Sequence, residues 1–391
     1  MATTMHMAKL ELVSAGTAGS MRVAVLDAPG KMSMAHALAP LPGEHEIRVK
    51  IKYVGICGSD LEAFRGTRQP EFMSTPARLG HEVAGTIDMV GRCVVGLQVG
   101  DKVTCRYVWG AFAEYIVCKP FNVKVLPPHF PMLEISLIEI LPGVIHAAEL
   151  ARITPHSRVL ITGQGVSGLV LTQIFKLYSP AALVCTDLKD RNLELAKTYG
   201  ASHVYKIPSE HAATMETVGR DFPQGFDVVV PCLLEGDGMK DALDCVALGG
   251  RIVMYGCIGT CREFDFFKMH RRRAEIYSTE PRRDIDMRRY FEEGVKMVLD
   301  GIVNTSEMVT NVMPLERVGE AFDLRNDKSQ GQAAIHVLID CEAGATDEST
   351  ASVTARHIAS LTGAAHAGAG AAAAASAAVA GGATAHAGHG H

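Results

Sequence analysis

The chain has 391 residues, 48% of them hydrophobic and 21% charged, which is long enough for two domains with substantial cores. A formal net charge of -5 gives no broad attraction to phosphate backbones or anionic lipid, so neither nucleic acid nor a membrane is the expected partner. The apolar runs fall short of the roughly 20 residues that a spanning helix needs. The N-terminus lacks a charged segment followed by an apolar run, and the ten cysteines form no Cys-x-x-Cys pair or even spacing. A cytoplasmic protein without a disulfide framework is expected.

Residues 1–20 are rich in Ala, Gly, Ser and Thr and are expected to be a disordered leader, with a first strand opening at Met21. Alternating polar and apolar residues over 46–54 (Ile47, Val49, Ile51) and strand-like runs at 83–90 and 101–103 predict an all-β region spanning 21–145. The pattern changes near residue 156. Strands predicted at 158–162, 182–186, 203–205, 227–230 and 251–255 alternate with helical patterns at 169–177, 191–199 and 239–246, which predicts a parallel sheet covered on both faces within 146–300. Residues 342–391 end in an Ala, Gly and His tract with too little apolar bulk to offset ordering, so disorder is expected there. Its His386, His389 and His391 read as a solvated tail or as an adventitious metal binder.

Gly163-Gln164-Gly165-Val166-Ser167-Gly168 lies between a predicted strand and a predicted helix, the context that gives a glycine pattern meaning. Gly163 allows the tight turn, Gly165 lets the main chain approach a pyrophosphate, and Gly168 allows helix and sheet to pack closely. The N–H groups of Val166 and Ser167 at the helix start face anionic oxygens. At the end of the next strand, Asp187 is placed to accept both ribose hydroxyls of NAD and to repel a 2′-phosphate, whereas Lys189 and Arg191 leave NADP as the lesser alternative.

Upstream, Gly55-Ile56-Cys57-Gly58-Ser59-Asp60 is followed by Gly80-His81-Glu82-Val83-Ala84-Gly85. With the glycine-rich turn downstream, these motifs resemble the zinc-containing medium-chain dehydrogenase/reductase family over about residues 21–340. The resemblance implies a chaperonin-like (GroES-like) β-barrel catalytic domain, 21–145 with 301–341 returning to it, and a Rossmann nucleotide domain, 146–300. It also implies one catalytic zinc in the cleft between them, a small-molecule alcohol or ketone as substrate, and a homo-oligomer, dimer or tetramer.

Zinc of this kind is held by thiolate, imidazole and carboxylate with one open position, where it favours loss of an alcohol's proton or polarises a ketone. The resemblance assigns Cys57 and His81 as ligands and Ser59 as the hydroxyl that passes the alcohol proton toward the cofactor ribose. Asp60 is the candidate to fix the tautomer of His81. For the third ligand, Glu139 in Leu137-Ile138-Glu139-Ile140-Leu141-Pro142-Gly143 resembles the polyol-dehydrogenase branch and is preferred; Glu82 competes with it.

Two features depart from the family. The chain runs from Gly100-Asp101-Lys102-Val103-Thr104-Cys105 through Trp109 to Gly110-Ala111-Phe112 without the lobe of four cysteines that holds a structural zinc in relatives. No second zinc is therefore expected, and Trp109 is left to packing or to substrate contact. After Ser278 the sequence reads Thr279-Glu280-Pro281-Arg282-Arg283, where polyol dehydrogenases carry an Arg-Tyr pair. Arg271, Arg272, Arg273, Arg282, Arg283, Arg288 and Arg289 read as solvated charge or as a binder of a substrate anion. The resulting expectation is NAD-linked oxidation of a secondary alcohol: a polyol, cyclitol, sugar derivative or hydroxy amino acid. A zinc-free quinone or alkene reductase of the same fold and a silent NAD-binding scaffold are the rivals, and neither needs Cys57, His81 and an acidic ligand together.

Overall fold

The computed structural model describes residues 12–67, 75–207, 211–233, 238–256, 264–279, 284–326 and 334–344. The described chain opens with the strands Leu12–Val13 (β1), Ser20–Ala28 (β2), Lys31–Leu38 (β3), Ile47–Gly55 (β4), Glu82–Val90 (β5), Lys102–Cys105 (β6), Tyr115–Cys118 (β7) and Val123–Val125 (β8). Next come Arg158–Thr162 (β9), Ala182–Asp187 (β10), His203–Lys206 (β11), Phe226–Pro231 (β12), Val246–Met254 (β13) and Glu275–Ser278 (β14), alternating with helices. Val309–Pro314 (β15) and His336–Asp340 (β16) follow.

β9 to β14 form one parallel sheet in the order β11-β10-β9-β12-β13-β14. Numbered within this sheet the order is 3-2-1-4-5-6, the doubly wound dinucleotide-binding topology, with its switch point between β9 and β12. Because both faces are covered, the strands are near-continuous apolar runs: Val159 to Ile161 and Val228 to Val230 are all buried.

The other large sheet has the order β15-β16-β4-β5-β6-β8, with β7 also paired to β4. Here β4 keeps the predicted alternation, burying Ile47, Val49 and Ile51 while Arg48, Lys50 and Lys52 point outward. β16 returns from far along the sequence to pair antiparallel with β4, Leu338 opposite Gly55. β1, β3 and β2 make a smaller sheet joined to this barrel by bridges from Val23 to Ala113 and from Leu26 to Ala77.

Two expectations are corrected. Leu12 and Val13 pair with Ala37 and His36 of β3, so the leader is ordered from residue 12, and residues 1–11 lie outside the described structure. The N-terminal region is also not all β. A helix spans Gly58–Arg65 and another Leu141–Ala151. The first buries Leu61, Ala63 and Phe64 and stops at Gly66, whose φ of 71° only glycine adopts cheaply. Eight residues are too few for a helical period to stand out from the strands around it. Of the tail, only residues 342–344 are described.

The barrel core is closed from its C-terminal end. Phe322, fully buried on the helix Val318–Asn326, stacks against Phe64 at 5.1 Å and meets Phe112 edge-on at 5.6 Å. Phe322→Ala is therefore expected to cost about 3–5 kcal/mol. The measurement is the urea unfolding midpoint; an unchanged midpoint would show that the returning helix does not pin the barrel.

Candidate active site

Cys57 stands at the N-cap of the helix Gly58–Arg65, just past the end of β4, while His81 and Glu82 stand where the chain enters β5. One side chain ties the two loops together. The Asp60 carboxylate, with no exposed surface, accepts the Cys57 N–H through Oδ2 at 3.0 Å and the Gly80 N–H through Oδ1 at 3.0 Å. The same Oδ1 faces His81 Nδ1 at 3.6 Å, an ion-pair distance rather than a hydrogen bond, and Ser59 Oγ lies 3.5 Å from His81 Nε2. Trp109 stacks on the other side of the imidazole, ring centroids 4.2 Å apart.

The result is a buried group in which one donor atom each from Cys57, His81 and Glu82 lies within 4.8 Å of the others. Among the described residues one further such trio, Glu44, His45 and Cys93, is wholly exposed, and its glutamate is engaged by Arg92.

The charges within this group oppose one another. Burial, reinforced by the carboxylates of Asp60 and Glu139, pushes the Cys57 thiol up to about 11. Burial alone would lower His81, but Asp60, Glu139 and Glu82 outweigh it and raise the imidazole to about 9. Burial and the neighbouring Cys57 hold the Glu82 carboxyl well above the usual carboxylate range. Glu82 Oε2 and His81 Nδ1 are buried without a hydrogen-bond partner among the described residues. A thiol, an imidazole and a carboxylate gathered out of water suit a divalent cation of zinc type, which would relieve the repulsion.

Glu139, the preferred third ligand, lies outside this trio. It sits on the short helical turn Ser136–Ile140, where Arg106 Nη1 pairs with its Oε1 at 3.0 Å and also donates to its backbone carbonyl. Glu82 is the carboxylate that the fold brings to Cys57 and His81. The partner that occupies Glu139 comes from 33 residues upstream, in the shortened link between β6 and β7, and no local pattern announces it.

The glycine turn lies where the sequence puts it. Gly163, at φ 87°, follows β9, Gly165 caps the helix Val166–Lys176, and a Cβ on Gly168 would fall 2.0 Å from the Gly163 carbonyl oxygen. The space beside Gly165 is open. Asp187 ends β10 and accepts the Gln164 N–H at 2.6 Å and the Lys189 N–H at 2.8 Å, which fixes its carboxylate beside the turn. Arg191 is exposed on the following helix, Asp190–Thr198.

Tyr255 links the metal-type group to the glycine turn. Tyr255, just beyond β13, hydrogen-bonds Ser167 and feels the charges of Arg106 and Cys57; burial drives its hydroxyl pKa far up. Lys189 Nζ donates to the Ala334 carbonyl at 3.1 Å, tying the Asp187 loop to the segment that leads into β16. Tyr255, Arg106, Arg325 and His336 were not singled out from the sequence; a lone His inside the apolar run of β16 is the only local signal among them. Of the basic run, Arg289 is paired with Glu149 at 2.7 Å, Arg272 donates to the Val246 carbonyl, and Arg282 and Arg283 lie outside the described residues.

A chaperonin-like barrel joined to a doubly wound nucleotide fold, with a thiol–imidazole–carboxylate group at their junction, defines a class of two-lobed oxidoreductases. A profile described as "Alcohol dehydrogenase GroES-like domain" matches residues 43–128, and one described as "Zinc-binding dehydrogenase" matches residues 167–300. The chain is 28% identical over 345 residues to a sorbitol dehydrogenase of Bacillus subtilis, covering 78% of this chain and 93% of that protein. An Escherichia coli alcohol dehydrogenase solved with NADH superposes with a TM-score of 0.72 at 22% identity, over 82% of this chain and 99% of the other. Galactitol-1-phosphate dehydrogenase of Escherichia coli superposes with a TM-score of 0.70 at 24% identity, over 82% of this chain and all (100%) of the other. The chain belongs to the zinc-containing medium-chain dehydrogenase/reductase family, a family of alcohol-dehydrogenase-like oxidoreductases. No described helix is long and apolar enough to cross a membrane.

Asp60→Ala leaves the N–H groups of Cys57 and Gly80 without their acceptor, at about 1–3 kcal/mol each. The thermal midpoint should fall, and Asp60→Asn, which keeps one acceptor oxygen, should recover part of the loss. Equal midpoints for all three proteins would show that the carboxylate does not hold the two loops.

Proposed function

We propose that the chain is a zinc-dependent dehydrogenase that moves a hydride between a secondary alcohol and NAD, with Cys57, His81 and Glu82 as the metal's protein ligands. The observation that carries this reading is the trio of donors within 4.8 Å of one another, linked to the glycine turn through Tyr255. The polyol and sugar-alcohol names of the relatives favour a polyol, cyclitol, sugar derivative or hydroxy amino acid as substrate. On this reading residues 21–145 with 301–341 carry the metal and residues 146–300 the cofactor, and the working unit is a homo-oligomer.

When bound, zinc supplies the Lewis acidity that favours deprotonation of the alcohol or polarises the ketone. The rest falls to the chain's own residues. Ser59 Oγ, beside His81, accepts the alcohol proton and relays it toward the cofactor ribose, which separates proton from hydride. The Val166 and Ser167 N–H groups at the helix start take the pyrophosphate, and Tyr255 holds the Ser167 side chain in place. Asp187 receives the adenosine ribose hydroxyls and disfavours a 2′-phosphate, which is the ground for NAD over NADP. Arg106 neutralises Glu139 beside the metal group.

The expected result is about one zinc per chain in tag-free protein, with NAD⁺ reduction on a panel of secondary alcohols that stops on chelation and returns with zinc. Cys57→Ser should lose both metal and activity; full activity in that variant would overturn the reading. Because the thiol stands at about 11 and the imidazole at about 9, zinc must displace protons held by both at neutral pH. Zinc affinity should therefore climb as pH rises and fall in acid, with proton release measurable by calorimetry in buffers of different ionisation enthalpy. Asp187→Ser should raise the KM for NAD⁺ by about tenfold or more while easing use of NADP⁺. A parent enzyme that prefers NADP⁺ would reverse the cofactor assignment.

A further inference from the structure

β16, β4 and β5 lie side by side, and the middle strand ends in a glycine. Gly55 is opposite Glu82 on β5 and opposite Leu338 on β16; His336, two residues before Leu338, shares its face of the sheet. A Cβ on Gly55 would fall 2.2 Å from Glu82 Oε2 and 2.5 Å from His336 Nε2. The missing side chain therefore opens the slot in which the carboxylate from one neighbour and the imidazole from the other meet. Glu82 Oε2 and His336 Nε2 stand 3.4 Å apart, at 2% and 0% exposure.

Neither ring nitrogen of His336 has a hydrogen-bond partner among the described residues, nor has Glu82 Oε2. Packing alone does not account for an imidazole here, because the other four residues of β16 supply its buried surface and two unpaired ring nitrogens out of water are costly. An imidazole carries at least one N–H donor whichever tautomer it adopts. Closing 3.4 Å to a hydrogen bond takes a shift of about half an ångström.

We propose that His336 is a positioning residue for the metal: its Nε2–H holds Oε2 of Glu82 across the gap at Gly55, so that the carboxylate presents its other oxygen beside Cys57 and His81. The inference rests on the zinc reading above and adds to it the residue that selects Glu82. A carboxylate with one oxygen held has fewer orientations to lose on binding metal, and its charge stays on the metal side.

The test compares His336→Leu, which fills the space without a donor, with His336→Gln, whose amide still donates; Cys57→Ser serves as the control. Zinc affinity is read by chelator competition, and the visible absorption of the cobalt(II)-substituted proteins reports the donor set. His336→Leu should bind zinc about 10–100-fold more weakly and shift the cobalt bands, while His336→Gln stays near the parent in both. If both variants match the parent while Cys57→Ser loses zinc, the role of His336 is overturned and the zinc reading stands. Equal losses in both variants would also overturn it, in favour of packing. Retention of zinc by Cys57→Ser would remove the zinc reading itself.

Discussion

The carboxylate of Asp60 makes one site out of two loops. Cys57 and His81 are 24 residues apart and belong to different turns. Asp60 accepts a backbone N–H from each turn and faces the imidazole with the same oxygen. A buried carboxylate needs hydrogen-bond donors in place of water, and Asp60 has two backbone N–H groups. The same contacts that satisfy Asp60 keep the thiol and imidazole in register.

Around that clamp the anions are sorted by partner. Asp60 is satisfied by backbone donors, Glu139 by the Arg106 guanidinium, and Glu82 by neither. Glu82 keeps a fully buried oxygen without a hydrogen bond among the described residues, and it is the carboxylate whose donor atom falls within reach of both other ligands. The shortened link between β6 and β7 matters here, because it is the segment that brings Arg106 to Glu139 and Trp109 over His81.

What could be read from the sequence divides along the range of the interaction. The glycine turn was legible because strand, glycines, helix and Asp187 are contiguous, and two of the glycines answer local constraints, the positive φ of Gly163 and the 2.0 Å approach at Gly168. The inner strands β9, β10 and β12 were legible for the same reason, since burial on both faces writes an apolar run, whereas the edge strand β14 carries no such run and is not among the predicted strands. The helix Gly58–Arg65 was not, since eight residues between two strands carry too little periodicity, and the pairing of Leu12 and Val13 depends on a partner strand rather than on their own pattern. Neither the pairing of Glu139 with Arg106 nor the place of His336 beside Glu82 is visible in the local pattern. Both depend on contacts across many residues, 33 for Arg106 with Glu139 and a strand returning from the far end of the fold for His336.

Charge balance gives the proposed ligand set a further consequence. With Glu139 neutralised by Arg106, a zinc held by the Cys57 thiolate, neutral His81 and the Glu82 carboxylate has no net charge in a buried cleft, where an uncompensated charge is expensive. Had Glu139 joined the thiolate and Glu82 as a donor, the set would be anionic and would weaken the metal's pull on a substrate oxygen. A neutral centre keeps that pull. It also offers no counter-charge to an anionic substrate at the metal itself, so an acidic or phosphorylated group on the substrate would have to be met elsewhere in the crevice. Of the basic run, Arg289 is bound to Glu149 and Arg272 to a carbonyl of β13, so these two guanidinium groups already have partners, while Arg288 is exposed.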